Sequence, residues 1–203
     1  MGKFIVFEGL DGSGKSTHIK LLYDYLKARG EKVFITTEPT GYESGKQLRA
    51  ALSGAVLRSP CEMAVMFVYD RIAHNINPKD GISAMLDSGA YVICDRYYYS
   101  SLAYQGSETD FEWVRSMNVN CPEIRRPDVC IYLDLSPAQC IKRIKSSRES
   151  MEIYETFDKL TAVEDKFKYA FKLLSNTDNI KIVDADRSIY EVAADIRAII
   201  ENL

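Results

Sequence analysis

A basic surplus, a cysteine pattern, linker composition and long apolar runs are all missing from this chain, and each absence closes off a class of protein. Lys and Arg number 26 against 29 Asp and Glu, a formal net charge of −3. A general nucleic-acid binder carries excess positive charge, so no nucleic-acid partner is expected beyond what one local basic pocket would hold. The five cysteines (Cys61, Cys94, Cys121, Cys130, Cys140) are odd in number and have no metal-ligand spacing. Cys94 and Cys130 lie inside apolar runs and read as small core residues, and a reducing, cytoplasmic setting is the simplest account of all five. No run of 18 apolar residues suggests a membrane span, and no secretory signal is expected, because the N-terminus leads straight into a strand and a glycine loop. Met1-Gly2 opens a myristoylation pattern, but Val6 stands where Ser or Thr is needed. Repeats, low-complexity tracts and Pro/Gly/Ser-rich linkers are equally lacking, so residues 1–203 are expected to form one domain with a sizeable core.

What is present is a regular alternation. Strands are expected at Lys3–Glu8, Lys32–Glu38, Ala90–Asp95, Asp128–Leu135 and Asn179–Ala185, three of them consecutively apolar, as in strands covered on both faces. Between them, STHIKLLYDYLKARG places Ile19, Leu22, Tyr23, Tyr25 and Leu26 at helical spacing and stops at Gly30. SPAQCIKRIKSS opens on a Ser-Pro helix start, and SIYEVAADIRAIIENL is an amphipathic helix behind an N-cap serine. A βαβα order predicts an α/β fold, a parallel sheet sandwiched between helices.

The sharpest motif is GLDGSGKST, in which Gly9, Gly14, Lys15 and Ser16 match G-x-x-x-x-G-K-[ST], followed by Thr17. It lies between an apolar strand and an amphipathic helix, where inward-turned N–H groups and a helix N-terminus cradle phosphates. Lys15 would reach the outer phosphates and the Ser16 hydroxyl would hold Mg²⁺. Such a loop serves GTPases, ATPases and small-molecule kinases alike. The chain has no N/T-K-x-D guanine-reading motif and is too short for a motor or transporter. A kinase also needs a second, cationic pocket, because two polyanions must be held nose to tail.

Several stretches qualify for that pocket. TTEPTG, with Pro39, ends the second strand, and ligands gather at the carboxyl ends of open parallel sheets. Phe67, Asp70, Arg71 and His74 share one helical face. An exposed Phe beside an Arg would stack on a base and bond its edge; the alternative is a core Phe beside a surface Asp-Arg pair, preferred when the stretch is taken alone, with His74 a packing or surface residue. VICDRYYYSSLAYQG ends an apolar strand in Asp95-Arg96, where Arg96 would make a two-pronged contact with an acceptor phosphate and Asp95 would orient it or help hold Mg²⁺. Several of its tyrosines must be packing. Lys142, Arg143, Lys145 and Arg148 crowd a helix end and serine turn, either a solvated charged face or a lid that brings an arginine onto the moving phosphoryl group.

FEGLDGSGKST, TEPTG, LRAAL, FVYDRIAH, ICDRYYYSSLAYQG, RRPDVCIYLDLSP, RIKSSRES…YE and IVDAD follow one another over nearly the whole chain. In that order they resemble the thymidylate kinases, P-loop nucleoside-monophosphate kinases. The resemblance implies a three-layer P-loop NTPase fold with a five-stranded parallel sheet, a short lid near residues 143–155, a homodimer, and transfer of phosphate from MgATP to dTMP in dTTP biosynthesis. It implies that Gly9, Leu10, Asp11, Gly12, Ser13, Gly14, Lys15, Ser16 and Thr17 bind ATP, with Arg143 and, beside the adenine, Asp184 of IVDAD. Phe67 would stack on thymine, Arg71 would meet the base edge, and Arg96, seconded by Arg49, would hold the dTMP phosphate. Ser101, Tyr104 and Gln105 would line the thymine and sugar pocket, Tyr104 near the sugar 2′ position. Asp11, Tyr154 and Glu155 would approach the 3′-hydroxyl. The chain departs from the family in three places. Its P-loop carries Asp11, Gly12 and Ser13 where many members have an arginine; the pattern Glu-Arg-Tyr-Glu reads Glu152, Ile153, Tyr154, Glu155; and Thr37 replaces an arginine before Glu-Pro. The cationic role on the phosphoryl group then falls first to Arg148 and second to Arg143.

Overall fold

The computed structural model describes residues 2–147 and 157–203. In chain order the elements are β1 (Phe4–Glu8), α1 (Lys15–Ala28), β2 (Val33–Thr37), α2 (Glu43–Leu52), α3 (Pro60–Ile76), α4 (Ile82–Asp87), β3 (Tyr91–Asp95), α5 (Tyr98–Glu108), α6 (Phe111–Val119), β4 (Val129–Asp134), α7 (Pro137–Ser147), α8 (Phe157–Leu174), β5 (Ile180–Asp184) and α9 (Ile189–Glu201). The five expected strands all form, each trimmed by one or two residues. They make one parallel sheet in the order β2-β3-β1-β4-β5. Every residue of β1 is buried, as a central strand covered on both faces requires. The five-stranded three-layer α/β expectation is met.

Local chemistry sets the helix ends. Ser59 and Ser188 each form a reciprocal capping box, with Glu62 on α3 and Glu191 on α9. Gly30 takes φ +82° just past α1, a conformation that favours glycine. Of the segment expected as a lid, 143–147 belong to α7 and 148–155 lie outside the described residues.

The chain runs from β1 outward to β2, returns to β3 beside β1, then crosses to β4 on the other side. The carboxyl end of β1 is therefore the topological switch point, where open α/β sheets hold their ligands. Phe7 is in register with Asp95, and the Arg96 N–H donates to the Phe7 carbonyl at 2.9 Å. This places the β3 end beside the loop that follows β1.

Candidate active site

The glycine loop joins β1 to α1. Gly12 and Gly14 adopt φ +84° and +103°, left-handed values that side chains rarely take. A Cβ on Gly12 would also stand 2.6 Å from the Cys140 carbonyl of α7. Lys15 is buried, its ammonium donating to the carbonyls of Gly9 at 3.0 Å and Leu10 at 3.1 Å. Burial and then Arg96 lower its pKa, against the pull of Asp11, Asp95 and Glu8. Ser16 and Thr17 are exposed at the start of α1. This loop floors one cleft, whose other walls include His18, Asp95, Arg143, Ile144, Ala185, Arg187 and Ile189. Arg143 reaches across it, donating to the carbonyls of Ser13 at 3.4 Å and Ala185 at 3.0 Å.

A second cleft, of about 600 Å³, opens on the β2–β3 side and is lined by Glu38, Pro39, Arg49, Phe67, Arg71, Tyr104 and Gln105 among others. Its rim is a loop held from two sides. Asp70 accepts from the Thr40 N–H at 2.7 Å and from the Thr40 and Ser44 hydroxyls at 2.6 Å each, while the Arg49 guanidinium donates to the carbonyls of Pro39 and Thr40. At its back Arg71, almost wholly buried, pairs with Glu38 at 2.6 Å; the other Glu38 oxygen bonds His74 at 2.9 Å. The Asp70-Arg71 pair is thus internal and not a surface pair, because both side chains have buried partners.

Asp11 and Arg96 belong to the walls of both clefts. Their side chains meet at 2.5 Å, and Arg96 also donates to the Ser100 hydroxyl at 3.2 Å and lies 5.4 Å from the centre of the Tyr104 ring. Burial works against the Arg96 charge, but Asp11, Tyr104, Asp95 and Glu8 outweigh it and hold its pKa well above the ordinary value. Arg96 has φ +66°, the one positive value outside glycine among the described residues. Strain of that kind is kept where the surroundings over-determine a conformation, and it clusters at functional sites. The turn is braced from below by Glu8, which accepts from the N–H groups of Tyr97 at 2.8 Å and Ser100 at 3.0 Å and from the Ser100 hydroxyl at 2.7 Å. Glu8 supplies the cap that Tyr97 lacks at the start of α5. Burial pushes its pKa up to about 7 against the opposing pull of Arg96 and the hydrogen bonds.

The residues present suit Mg²⁺. Asp95 Oδ1 is buried without a protein partner, on the wall that also carries the exposed Ser16. One carboxylate and one hydroxyl, with no cluster of three acidic, His or Cys ligands among the described residues, is the hard, sparse oxygen set that magnesium shares with nucleotide phosphates.

Of the expected residues, Asp11, Gly12, Gly14, Lys15, Ser16, Thr17, Asp95, Arg96 and Arg143 gather in the first cleft, and Pro39, Arg49, Phe67, Arg71, Arg96, Tyr104 and Gln105 in the second. Gly9, Leu10 and Ser13 shape the loop from behind. Ser101 is buried behind Arg71, which donates to it at 3.1 Å. Asp184 turns to its own loop, accepting from the Asp186 N–H at 2.9 Å, and its neighbours Ala185, Arg187 and Ile189 face the cleft instead. Arg148, Tyr154 and Glu155 lie outside the described residues. Sequence reasoning passed over Glu38, Glu8 and Asn118. Glu38 stood in the quoted Glu-Pro motif, whereas nothing local marks Asn118.

The sequence profile of the thymidylate kinase family matches residues 7–196. A probable thymidylate kinase of Pyrococcus horikoshii is 37% identical over 209 residues, covering 99% of this chain and 97% of its own length. The thymidylate kinase of Caldicellulosiruptor saccharolyticus is 36% identical over 206 residues, covering 100% and 97%. That of Leptospira borgpetersenii is 37% identical over 183 residues, covering 88% and 84%. With the glycine loop, the two joined clefts and a profile match across both, the chain belongs to the thymidylate kinase family.

Proposed function

We propose that this protein transfers the γ-phosphoryl group of MgATP to dTMP, giving dTDP and ADP, as a step toward dTTP. The observation that carries this reading is the pair of clefts sharing Asp11 and Arg96, since an in-line transfer needs donor and acceptor phosphates to meet at one point. An oxygen of the dTMP phosphate attacks the γ-phosphorus while its bond to the bridging β-oxygen breaks, and ADP keeps the electron pair. No covalent enzyme intermediate is needed, because positioning and charge stabilisation supply the rate.

In this reading the glycine loop and Thr17 hold the donor phosphates. Lys15 leaves its carbonyl partners for the outer phosphates, and Arg143 and the Ala185–Ile189 turn flank the adenosine. Ser16 and Asp95 would hold Mg²⁺, which neutralises phosphate charge when bound. Arg96 and Arg49 bind the dTMP phosphate, Phe67 stacks on thymine, and Arg71 meets its edge. Tyr104 and Gln105 wall the sugar and base, and Asp11, with Tyr154 and Glu155, approaches the 3′-hydroxyl. Residues 143–155 act as the lid of a single unit, 1–203, and Arg148 is its phosphoryl-facing cation. The same proposal includes a homodimer through α3, where Val65, Tyr69 and Ile76 expose an apolar stripe at helical spacing. Five free thiols fit a cytoplasmic setting. Among the described residues no helix is long and apolar enough to cross a membrane.

A coupled ADP-release assay with MgATP and dTMP, dUMP, dCMP, dGMP, UMP, AMP, thymidine or no acceptor tests the reading. Turnover dominated by dTMP is expected. Another preferred acceptor would overturn the base assignment, and acceptor-independent hydrolysis would overturn the kinase.

A further inference from the structure

We infer that Asn118 is a positioning residue for base discrimination, setting the orientation of Arg71 without touching the nucleotide. The inference rests on the assignment of Arg71 to the base edge.

Arg71 has five N–H donors in a rigid plane. Its Nε donates to Glu38 Oε2 at 2.8 Å, and its Nη2 stands 2.6 Å from the same oxygen as an ion pair. A fork on two oxygens would lock the guanidinium, but contacts to a single oxygen leave it a pivot. What stops rotation about that pivot is the other end, where Nη1 donates to the Ser101 hydroxyl and to the Asn118 side-chain oxygen. The Ser101 hydroxyl can swing to follow its partner. The Asn118 amide cannot, because its Nδ2 donates to the Val114 carbonyl one helical turn back, at 2.8 Å. A carbonyl only accepts, so the nitrogen must face Val114 and the oxygen must face Arg71. Asn118 is wholly buried on α6, outside the cleft wall, and α6 therefore dictates how Arg71 presents itself to that wall.

Three of the five N–H groups thus donate to protein acceptors and Nη2 is held at ion-pair distance from Glu38, so Arg71 offers the cleft a donor from one fixed direction. A base with a carbonyl at position 4, thymine or uracil, accepts it. The 4-amino group of cytosine cannot, and leaves a buried cation unpaired, the arrangement that discriminates most strongly between polar analogues. Discrimination then depends on an amide that touches neither base.

The test compares kcat and KM for dTMP, dCMP and ATP in wild type, Asn118→Ala, Asn118→Leu and Arg71→Lys. Leu keeps the branching and the number of side-chain heavy atoms of Asn118 with methyl groups in place of its polar atoms, so it supplies the same readout should the Ala variant not fold. Both Asn118 variants should raise KM for dTMP about tenfold, the loss of one hydrogen bond to a charged group, and shrink the dTMP-over-dCMP ratio of kcat/KM by a similar factor. Turnover at saturating dTMP and KM for ATP should stay within about twofold of wild type. An unchanged ratio in the Asn118 variants, or a loss spread equally over dTMP, ATP and melting temperature, overturns the inference. An unchanged ratio in Arg71→Lys overturns the assignment of Arg71 instead.

Discussion

The Asp11 carboxylate and the Arg96 guanidinium stand 2.5 Å apart where the two clefts join, although 85 positions separate them in the chain. In the free protein each neutralises the other. In the proposed reading an arriving acceptor phosphate would compete with Asp11 for Arg96. Arg96→Gly suits the φ of +66° while deleting the cation, so it separates strain from charge. The variant should raise KM for dTMP roughly 10- to 100-fold, with KM for ATP little changed. An unchanged KM for dTMP would remove Arg96 from the acceptor site.

Lys15 is a buried cation whose ammonium donates, among the described residues, to two loop carbonyls. Holding it there opposes folding, since burial lowers its pKa. Lys15→Met should therefore match or exceed wild type in melting temperature while losing about 10²- to 10³-fold in kcat. A variant that keeps turnover would show that the ammonium does not reach the transferring group.

The glycine loop of this chain has no arginine, and Asp11 occupies its centre. Arg148→Ala should cost about 10²- to 10³-fold in turnover, with Arg143→Ala acting mainly on KM for ATP. Single-turnover measurements on both variants check this, and near-normal chemistry in Arg148→Ala would refute its role.

Glu8 has its pKa raised to about 7 by burial, so the folded protein binds its proton more tightly than the unfolded chain does. Its contribution to stability is complete below about pH 4.5, declines as pH rises and is lost once pH passes about 7. Glu8→Gln has no such titration and keeps an acceptor for the Tyr97 and Ser100 N–H groups. Between pH 5 and 8 wild type should lose roughly 2–3 kcal/mol relative to Glu8→Gln in denaturant unfolding. Parallel curves would mean that Glu8 is ionised throughout.

The apolar stripe of Val65, Tyr69 and Ile76 on α3 is expected to face a second copy. Tyr69→Glu should shift the chain from dimer to monomer in sedimentation velocity, by placing an unpaired charge in the interface. A wild-type chain that is already monomeric would overturn the proposal.

The local features of this protein were legible in its residues. The strand positions, the glycine loop, the Ser188 cap and the burial of Cys94 and Cys130 depend on neighbours within a few positions, and short-range spacing reports them faithfully. Arg96 and Phe67, which stand in motifs, line the clefts. Asp184 does not, because its turn directs Ala185 and Arg187 to the cleft.

The rest was decided in three dimensions. Glu8 caps a helix 92 positions away at Ser100, Asp11 meets Arg96, and Arg71 is shared by Glu38 of the loop after β2, Ser101 of α5 and Asn118 of α6. Each contact exists because the order β2-β3-β1-β4-β5 lays the end of β3 against the end of β1 and packs α3, α5 and α6 together. Hydrophobic periodicity states which face of an element is buried, but not against what. A charged side chain that satisfies itself inside the protein reads in sequence like one on the surface, and only its partners' positions tell the two apart.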